Sequence, residues 1–179
     1  RVVDKRTGRE YMVPKDEAPH VTLGEYTLEQ LESLDLEEVF PPYDYDNGEL
    51  EEVQLIVDGA GDEVLVAGML AMPFITAAQK TGLTAWVKAL YERRTLASRM
   101  MEAALTAELH RARALAEVGV HAFFIEESWA DATVLSPKLY AETAFPFERR
   151  LIEALRPLSL PRIFSFPGNP MPMLEQILR

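Results

Sequence analysis

The 179-residue chain contains no cysteine. This absence excludes disulfide bonds, zinc sites built on thiolates and a cysteine nucleophile within these residues. A chain without disulfides fits a reducing compartment, and we expect a cytoplasmic protein. No apolar run approaches the roughly 20 residues of a membrane-spanning helix. The charged start of the chain also lacks the form of a signal peptide, so no membrane association is expected.

Positive charge is scarce as well. The chain has 18 Lys and Arg residues against 29 Asp and Glu residues, a formal net charge of -11. Because nucleic-acid binding needs clustered basic residues, we expect no nucleic-acid partner. No glycine-rich phosphate loop follows an apolar run, and no two of the three histidines have metal-ligand spacing. We therefore predict no metal site.

The pattern of residues 1–59 predicts a hairpin and short helices. Within residues 1–14, the apolar runs Val2-Val3 and Tyr11-Met12-Val13 flank turn residues, as in a β-hairpin. Thr27 and Gln30 have the spacing of a capping box before a helix, and residues 49–58 form a second short helix. We interpret this segment as the amino-terminal part of a single domain.

Residues 60–179 alternate between apolar runs and helical patterns. The runs at residues 64–69, 122–125 and 162–166 predict buried strands. The pattern predicts helices near residues 74–81, 84–91, 95–118, 136–155 and after 170, with a bend at Pro146. This alternation implies a parallel sheet with right-handed crossovers, either in a barrel or in a doubly wound sheet.

Functional groups of parallel α/β folds gather at the carboxyl ends of strands. After the first run, small residues and the adaptable side chains of Met69 and Met72 could receive a flat ligand, or could pack helix on strand. After the third run, Gly168 and Asn169 suggest a tight turn whose N–H groups could receive an anion, although a plain loop has the same pattern.

Carboxylates follow the second run directly, at Glu126, Glu127 and Asp131. Because adjacent side chains of a strand point to opposite faces, only one of Glu126 and Glu127 can face a barrel mouth. That carboxylate could act as an acid or base, or bind N–H groups of a pyrrole or an ammonium ion. Trp129 could cover a planar ligand. The alternative is a solvated acidic loop.

The stretch Gly119–Ala130 has the order glycine, apolar strand, acidic residue and then Ser-Trp-Ala. Together with the Pro73-Phe74-Ile75-Thr76 loop and the Ser165–Asn169 strand end, it resembles the uroporphyrinogen decarboxylase superfamily. That family contains decarboxylases that act on a tetrapyrrole without a cofactor. It also contains cobalamin- or coenzyme M-linked methyltransferases, many of them with a zinc site. The resemblance implies a TIM (β/α)8 barrel.

Several positions depart from the family pattern. Ser165 and Pro167 stand where zinc-dependent relatives carry His-x-Cys, so the resemblance implies no thiolate zinc site here. Gln79 stands where decarboxylases place a tyrosine. A complete barrel takes about 250 residues, and three strands cannot close one. We therefore predict a partial barrel, with residues 1–59 as its hairpin and helical segment and residues 60–179 as three βα units.

The resemblance leads first to a uroporphyrinogen decarboxylase-like enzyme that acts on a tetrapyrrole and has no cofactor. The alternatives are a corrinoid-dependent methyltransferase of the same fold without the thiolate zinc site, and a non-catalytic barrel fragment. Glu127 is the expected catalytic carboxyl group at the site, with Glu126 as its alternative. A homo-oligomer is compatible with the pattern. The residues expected to bind the substrate are Met69, Met72, Phe74, Gln79, Trp129, Ser165 and Asn169.

Overall fold

The computed structural model describes residues 2–3, 10–11, 26–46, 48–61 and 63–178. Near the amino terminus, β1 (Val2–Val3) pairs antiparallel with β2 (Glu10–Tyr11). This pairing confirms an antiparallel hairpin at the predicted place, with Glu10 in its second strand, while the predicted strand residues Met12 and Val13 lie outside the described residues. Its predicted turn lies outside the described residues.

Three short helices follow the hairpin, α1 (Leu28–Glu32), α2 (Leu36–Val39) and α3 (Glu49–Ala60). The predicted capping box at the start of α1 is confirmed. The Gln30 backbone N–H donates to Thr27 Oγ1 at 3.3 Å, and the Thr27 backbone N–H donates to Gln30 Oε1 at 2.7 Å. Both bonds satisfy donors that a helix start leaves unpaired.

Three parallel strands form the central sheet in the order β3 (Ala67–Ala71), β4 (Ala122–Glu126) and β5 (Arg162–Ser165). These are the three predicted βα units, but β3 begins three residues later than predicted. The reason is its register with β4, in which Ala67 lies opposite Ala122. Just before that pair, the Val66 N–H donates to His121 Nδ1 at 3.0 Å, and the Val66 carbonyl accepts from the His121 N–H at 2.8 Å. Val64, which the apolar pattern placed in the strand, is 59% exposed.

Six further helices lie among the described residues. Ser136 Oγ accepts from the Leu139 N–H at 3.2 Å, which confirms the predicted cap at the start of α7. The predicted single helix over residues 136–155 is in fact two helices, separated at residues 143–144. Pro146, which has no N–H to donate, lies in the first turn of the second of them. The six helices are α4 (Pro73–Thr81), α5 (Leu83–Glu92), α6 (Arg94–Glu117), α7 (Pro137–Glu142), α8 (Phe145–Ala154) and α9 (Leu174–Ile177).

The two faces of the sheet differ in burial. On the buried face, side chains at alternate strand positions point toward the helices. They pack against Leu115 of α6 and Leu151 of α8, and they belong to Leu70, Phe123 and Ile125. A second buried cluster joins Leu31 of α1 and Phe40, which follows α2, to α5 and α6.

The other face of the sheet is open. Met69, Phe124 and Ile163 lie opposite one another in the register, and Met69 and Ile163 are 49% and 43% exposed. In a closed barrel this face would be the interior. We call the side of the sheet that carries these three residues the open face. The architecture is the α/β segment of a TIM-type barrel that the sequence predicts.

Candidate functional site

The carboxyl ends of the three strands lie in register. Ala71, the last residue of β3, is opposite Glu126, the last residue of β4, and Glu126 is opposite Ser165, the last residue of β5. Because side chains alternate along a strand, Glu126 is on the same side as Phe124, toward the open face. The structure therefore places a carboxylate at the centre of this edge and a serine beside it.

Glu126 is partly buried, and the Ser128 hydroxyl donates to its Oε1. This bond holds the Glu126 carboxylate against the turn that follows β4. A ligand that approaches the open face at this edge meets Glu126, Ser128 and Ser165, which offer hydrogen-bond acceptors and hydroxyl donors.

Glu127 points the other way and has no exposed surface. Its Oε1 accepts from the backbone N–H groups of Trp129 and Ala130, each at 2.9 Å, and its Oε2 accepts from the Ile75 N–H at 3.3 Å. The Glu127 side chain thus joins the loop after β4 to the first turn of α4. Of the two carboxylates, the structure brings Glu126 to the open face and places Glu127 beneath it.

Two buried side chains that the sequence analysis did not single out lie next to Glu127. The Tyr140 hydroxyl of α7 donates to Glu148 Oε2 of α8 at 2.5 Å, and both side chains are buried. Burial raises the pKa of both carboxyls, that of Glu148 to about 7, and repulsion from Glu148 adds to the shift of Glu127. The three backbone N–H groups that bond to Glu127 act in the opposite direction on its pKa. A signal was present in the sequence, since Glu148 lies three residues before the buried Leu151 on the same helical stripe.

Glu108 of α6 is a second buried carboxyl group that the sequence analysis missed. Its Oε2 accepts from the Ala71 N–H at 3.2 Å, and its Oε1 accepts from the Thr76 hydroxyl at 3.0 Å. Burial raises the pKa of Glu108 in spite of these bonds. Glu108 therefore fixes the end of β3 to α4. It too lies on a buried helical stripe, between Leu105 and Ala112.

The residues expected to bind substrate in the first loop are separated by the fold. Met69 lies on the open face, but Met72 is 2% exposed and Phe74 is fully buried, with its ring 5.7 Å from that of Trp86. Met72 and Phe74 therefore pack in the core and offer no surface to a ligand, because the chain turns into α4 directly after β3. Gln79 is exposed, but it lies six residues along α4, about 9 Å from the first turn.

Trp129 is also partly buried, and its side chain packs against both hydrophobic clusters. In the third loop, Asn169 is exposed, and its Oδ1 accepts from the Met171 N–H at 3.2 Å. Gly168 lies against Asp131 so closely that an added Cβ would be 2.1 Å from Asp131 Oδ2. The loops after β4 and β5 are thus in direct contact, although Asn169 itself faces away from the packed core.

The donor set at this edge does not fit a thiolate metal site. Ser165 offers a hydroxyl and Pro167 offers no side-chain ligand. Within the described part of the chain, no group of three His, Cys, Asp or Glu side chains could hold a metal ion. Glu126, Ser128 and Asn169 instead offer a carboxylate, a hydroxyl and an amide, which can exchange hydrogen bonds with a polar ligand. No helix of the described residues is long and apolar enough to cross a lipid bilayer.

Parallel strands with outer helices, and polar side chains gathered at the carboxyl ends, define a segment of a TIM-barrel protein. The sequence profile of uroporphyrinogen decarboxylase (URO-D) matches residues 1–179, and the chain belongs to this family.

The chain resembles methyltransferases of Methanosarcina mazei in sequence and in structure. It is 22% identical over 148 residues to the methylcobamide:CoM methyltransferase MtbA of Methanosarcina mazei, a match that covers 80% of this chain and 42% of the relative. The solved structure of a methyltransferase from Methanosarcina mazei superposes with a TM-score of 0.75 at 20% identity, over 98% of this chain and 51% of that one. The chain thus spans about half the length of these relatives.

Proposed function

We propose that this chain contributes to a corrinoid-dependent methyltransferase of the URO-D family that works without a thiolate zinc site. The observation that carries the proposal is the double likeness to methyltransferases, in sequence over 80% of the chain and in fold over 98% of it. The carboxyl edge centred on Glu126 is the proposed place of reaction. This choice replaces the decarboxylase that the sequence analysis expected first.

The residues at the edge suit a transfer from a methyl donor to a protic acceptor. A methylated corrinoid would supply the methyl group and would keep the electron pair of the bond that breaks. Glu126 would take the proton that the acceptor loses as it gains the methyl group, so the acceptor ends uncharged. Ser128 holds the Glu126 carboxylate through its hydroxyl, and Ser165 orients the acceptor from the neighbouring strand.

A decarboxylase has less support from the geometry. A tetrapyrrole with several carboxylates needs cationic partners, of which bidentate arginine is the strongest. The described residues at the carboxyl edge instead supply Glu126 and Asp131, which repel such a substrate.

The test gives the purified protein methylcobalamin with a thiol acceptor and, separately, uroporphyrinogen. We expect loss of the methylcobalamin absorbance together with a methylated thiol, and no change in the uroporphyrinogen. Decarboxylation of uroporphyrinogen with no methyl transfer would contradict the proposal and would support the uroporphyrinogen decarboxylase-like enzyme instead. Binding of neither compound would favour the non-catalytic fragment.

A further inference from the structure

Glu127, Glu148 and Tyr140 form a buried group beneath the loop that carries Glu126 and Trp129. They come from three different elements, the loop after β4, α8 and α7, and none is more than 4% exposed. Glu127 and Glu148 repel each other, so the group contains two carboxyls that cannot both be charged without a penalty. Which of them carries a proton decides how the loop is held.

Hydrogen bonds distinguish the two carboxyls. The two carboxyl oxygens of Glu127 accept hydrogen bonds from three backbone N–H groups. One of these donors, the Ile75 N–H, lies in the first turn of α4, where the helix dipole favours a negative charge. These contacts favour the charged form of Glu127.

Glu148 has the opposite environment. Its Oε2 accepts a hydrogen bond from the Tyr140 hydroxyl, whereas its Oε1 is buried and has no hydrogen-bond partner among the residues that the structure describes. A charged oxygen without a donor is unfavourable in such a place, while a protonated one removes the charge. Since Oε2 is already an acceptor, Oε1 is the atom that is free to carry a proton.

We infer that Glu148 is a neutral carboxylic acid, protonated on Oε1, and is a positioning residue for the loop at residues 126–130. In its neutral form it leaves the negative charge to Glu127, whose carboxylate then holds the backbone of Trp129 and Ala130. The statement that this loop keeps Glu126 in place for a reaction rests on the proposed function. The statement about how the loop is held does not depend on that function.

Other ionisable groups nearby are directed elsewhere. Tyr140 interacts with both carboxyls, but Glu108 of α6 faces Ala71 and Thr76, and Glu126 of β4 faces Ser128. The remaining charged side chains of α4, α7 and α8 are exposed: Lys80, Lys138, Glu142, Arg149, Arg150 and Glu153.

The neutral form of Glu148 in the folded chain determines whether the stability of the fold rises or falls with pH. Burial raises the pKa of Glu148 to about 7, and the charged Glu127 beside it raises that pKa further, whereas the unfolded chain releases the proton near the ordinary pKa of 4.5. The resulting stabilisation is complete below the ordinary value and is lost as the pH rises from there to the raised pKa of the folded chain. Within this window the unfolding equilibrium constant should rise about tenfold per pH unit from this group.

The experiment compares the whole chain with Glu148→Gln, whose amide is permanently neutral and offers an N–H. Urea unfolding is measured between pH 4.5 and 9, with backbone amide exchange of Trp129 and Ala130. We expect Glu148→Gln to remove the tenfold-per-unit rise and to keep both amides protected at high pH. A variant with the parent's pH profile and the parent's pH-dependent exchange would overturn the inference.

Two further measurements do not depend on the folding of that variant. The parent protein should show the infrared band of a protonated carboxyl group at pH 6, and the band should disappear only at a pH of about 7 or higher. Tyr140→Phe removes the donor that favours the charged form of Glu148, so the band should persist to higher pH. If the parent shows no such band, the inference fails. Neither measurement depends on methyl transfer, so a failure of the proposed function can be distinguished from a failure of this inference.

Discussion

At the scale of single residues, Glu126 is the carboxylate that a ligand on the open face meets. We predict that Glu126→Gln lowers kcat for methyl transfer by roughly 10²-fold or more, because the amide cannot take up a proton. The unfolding free energy should stay close to that of the parent, since Glu126 is only partly buried and bonds mainly to Ser128. Steady-state kinetics with urea unfolding of the same sample separates the two effects.

Glu117→Gln is a matched control. Glu117 is exposed at the end of α6, at the opposite edge of the sheet, and loses the same charge on substitution. Equal activity losses in the two variants would mean that overall charge, and not the position of Glu126, matters.

Gly168 supports the same site through packing. We predict that Gly168→Ala destabilises the chain by about 1–3 kcal/mol, because the added methyl would overlap Asp131 and push the two loops apart. Gly59→Ala is the control, since nothing lies within 4 Å of its added Cβ and alanine favours helix α3 by about 0.5–1 kcal/mol. Urea midpoints measure both variants. A neutral Gly168→Ala would show that the loops after β4 and β5 do not pack as described.

At the scale of elements, α7 carries Tyr140 and depends on its cap. Ser136→Ala removes the acceptor for the Leu139 N–H and should lower the unfolding free energy by about 1 kcal/mol. Ser136→Asp should retain most of the stability, because aspartate is an equally good cap. In Ser98→Ala, at an exposed position inside α6, we expect a small gain instead. If the two alanine variants behave alike, the cap contributes nothing.

The elements that the sequence predicts well are those with local signals. The capping box of α1, the cap of α7 and the strand β4 each depend on neighbouring residues only, and each is confirmed. The limits of β3 were wrong because register with β4, through Val66 and His121, sets where the strand begins.

The candidate site could be predicted only in part. Alternation along β4 predicts that one of Glu126 and Glu127 faces the barrel interior, but only packing against α4 decides which one. Contacts between distant parts of the chain, such as Glu108 with Thr76, leave no mark in a local pattern. A carboxyl group on an otherwise apolar helical stripe is the one clue that such residues give.

At the scale of the whole molecule, the proposed function depends on the open face of the sheet as much as on any one residue. The chain matches about half the length of its methyltransferase relatives, and within the described residues its sheet has three strands of a barrel type that closes with eight. The net charge of -11 still argues against nucleic-acid partners. A cytoplasmic location and a homo-oligomer stay predictions.

The central claim is that the carboxyl edge around Glu126 receives the corrinoid. Hydrogen exchange of the protein with and without methylcobalamin tests this claim most directly, because it reports binding residue by residue. We predict increased protection in residues 126–130 and 165–169, and no change in α3, which lies near the amino end of β3. Protection confined to α3 and the start of β3, or no protection at a saturating concentration of methylcobalamin, would contradict the account.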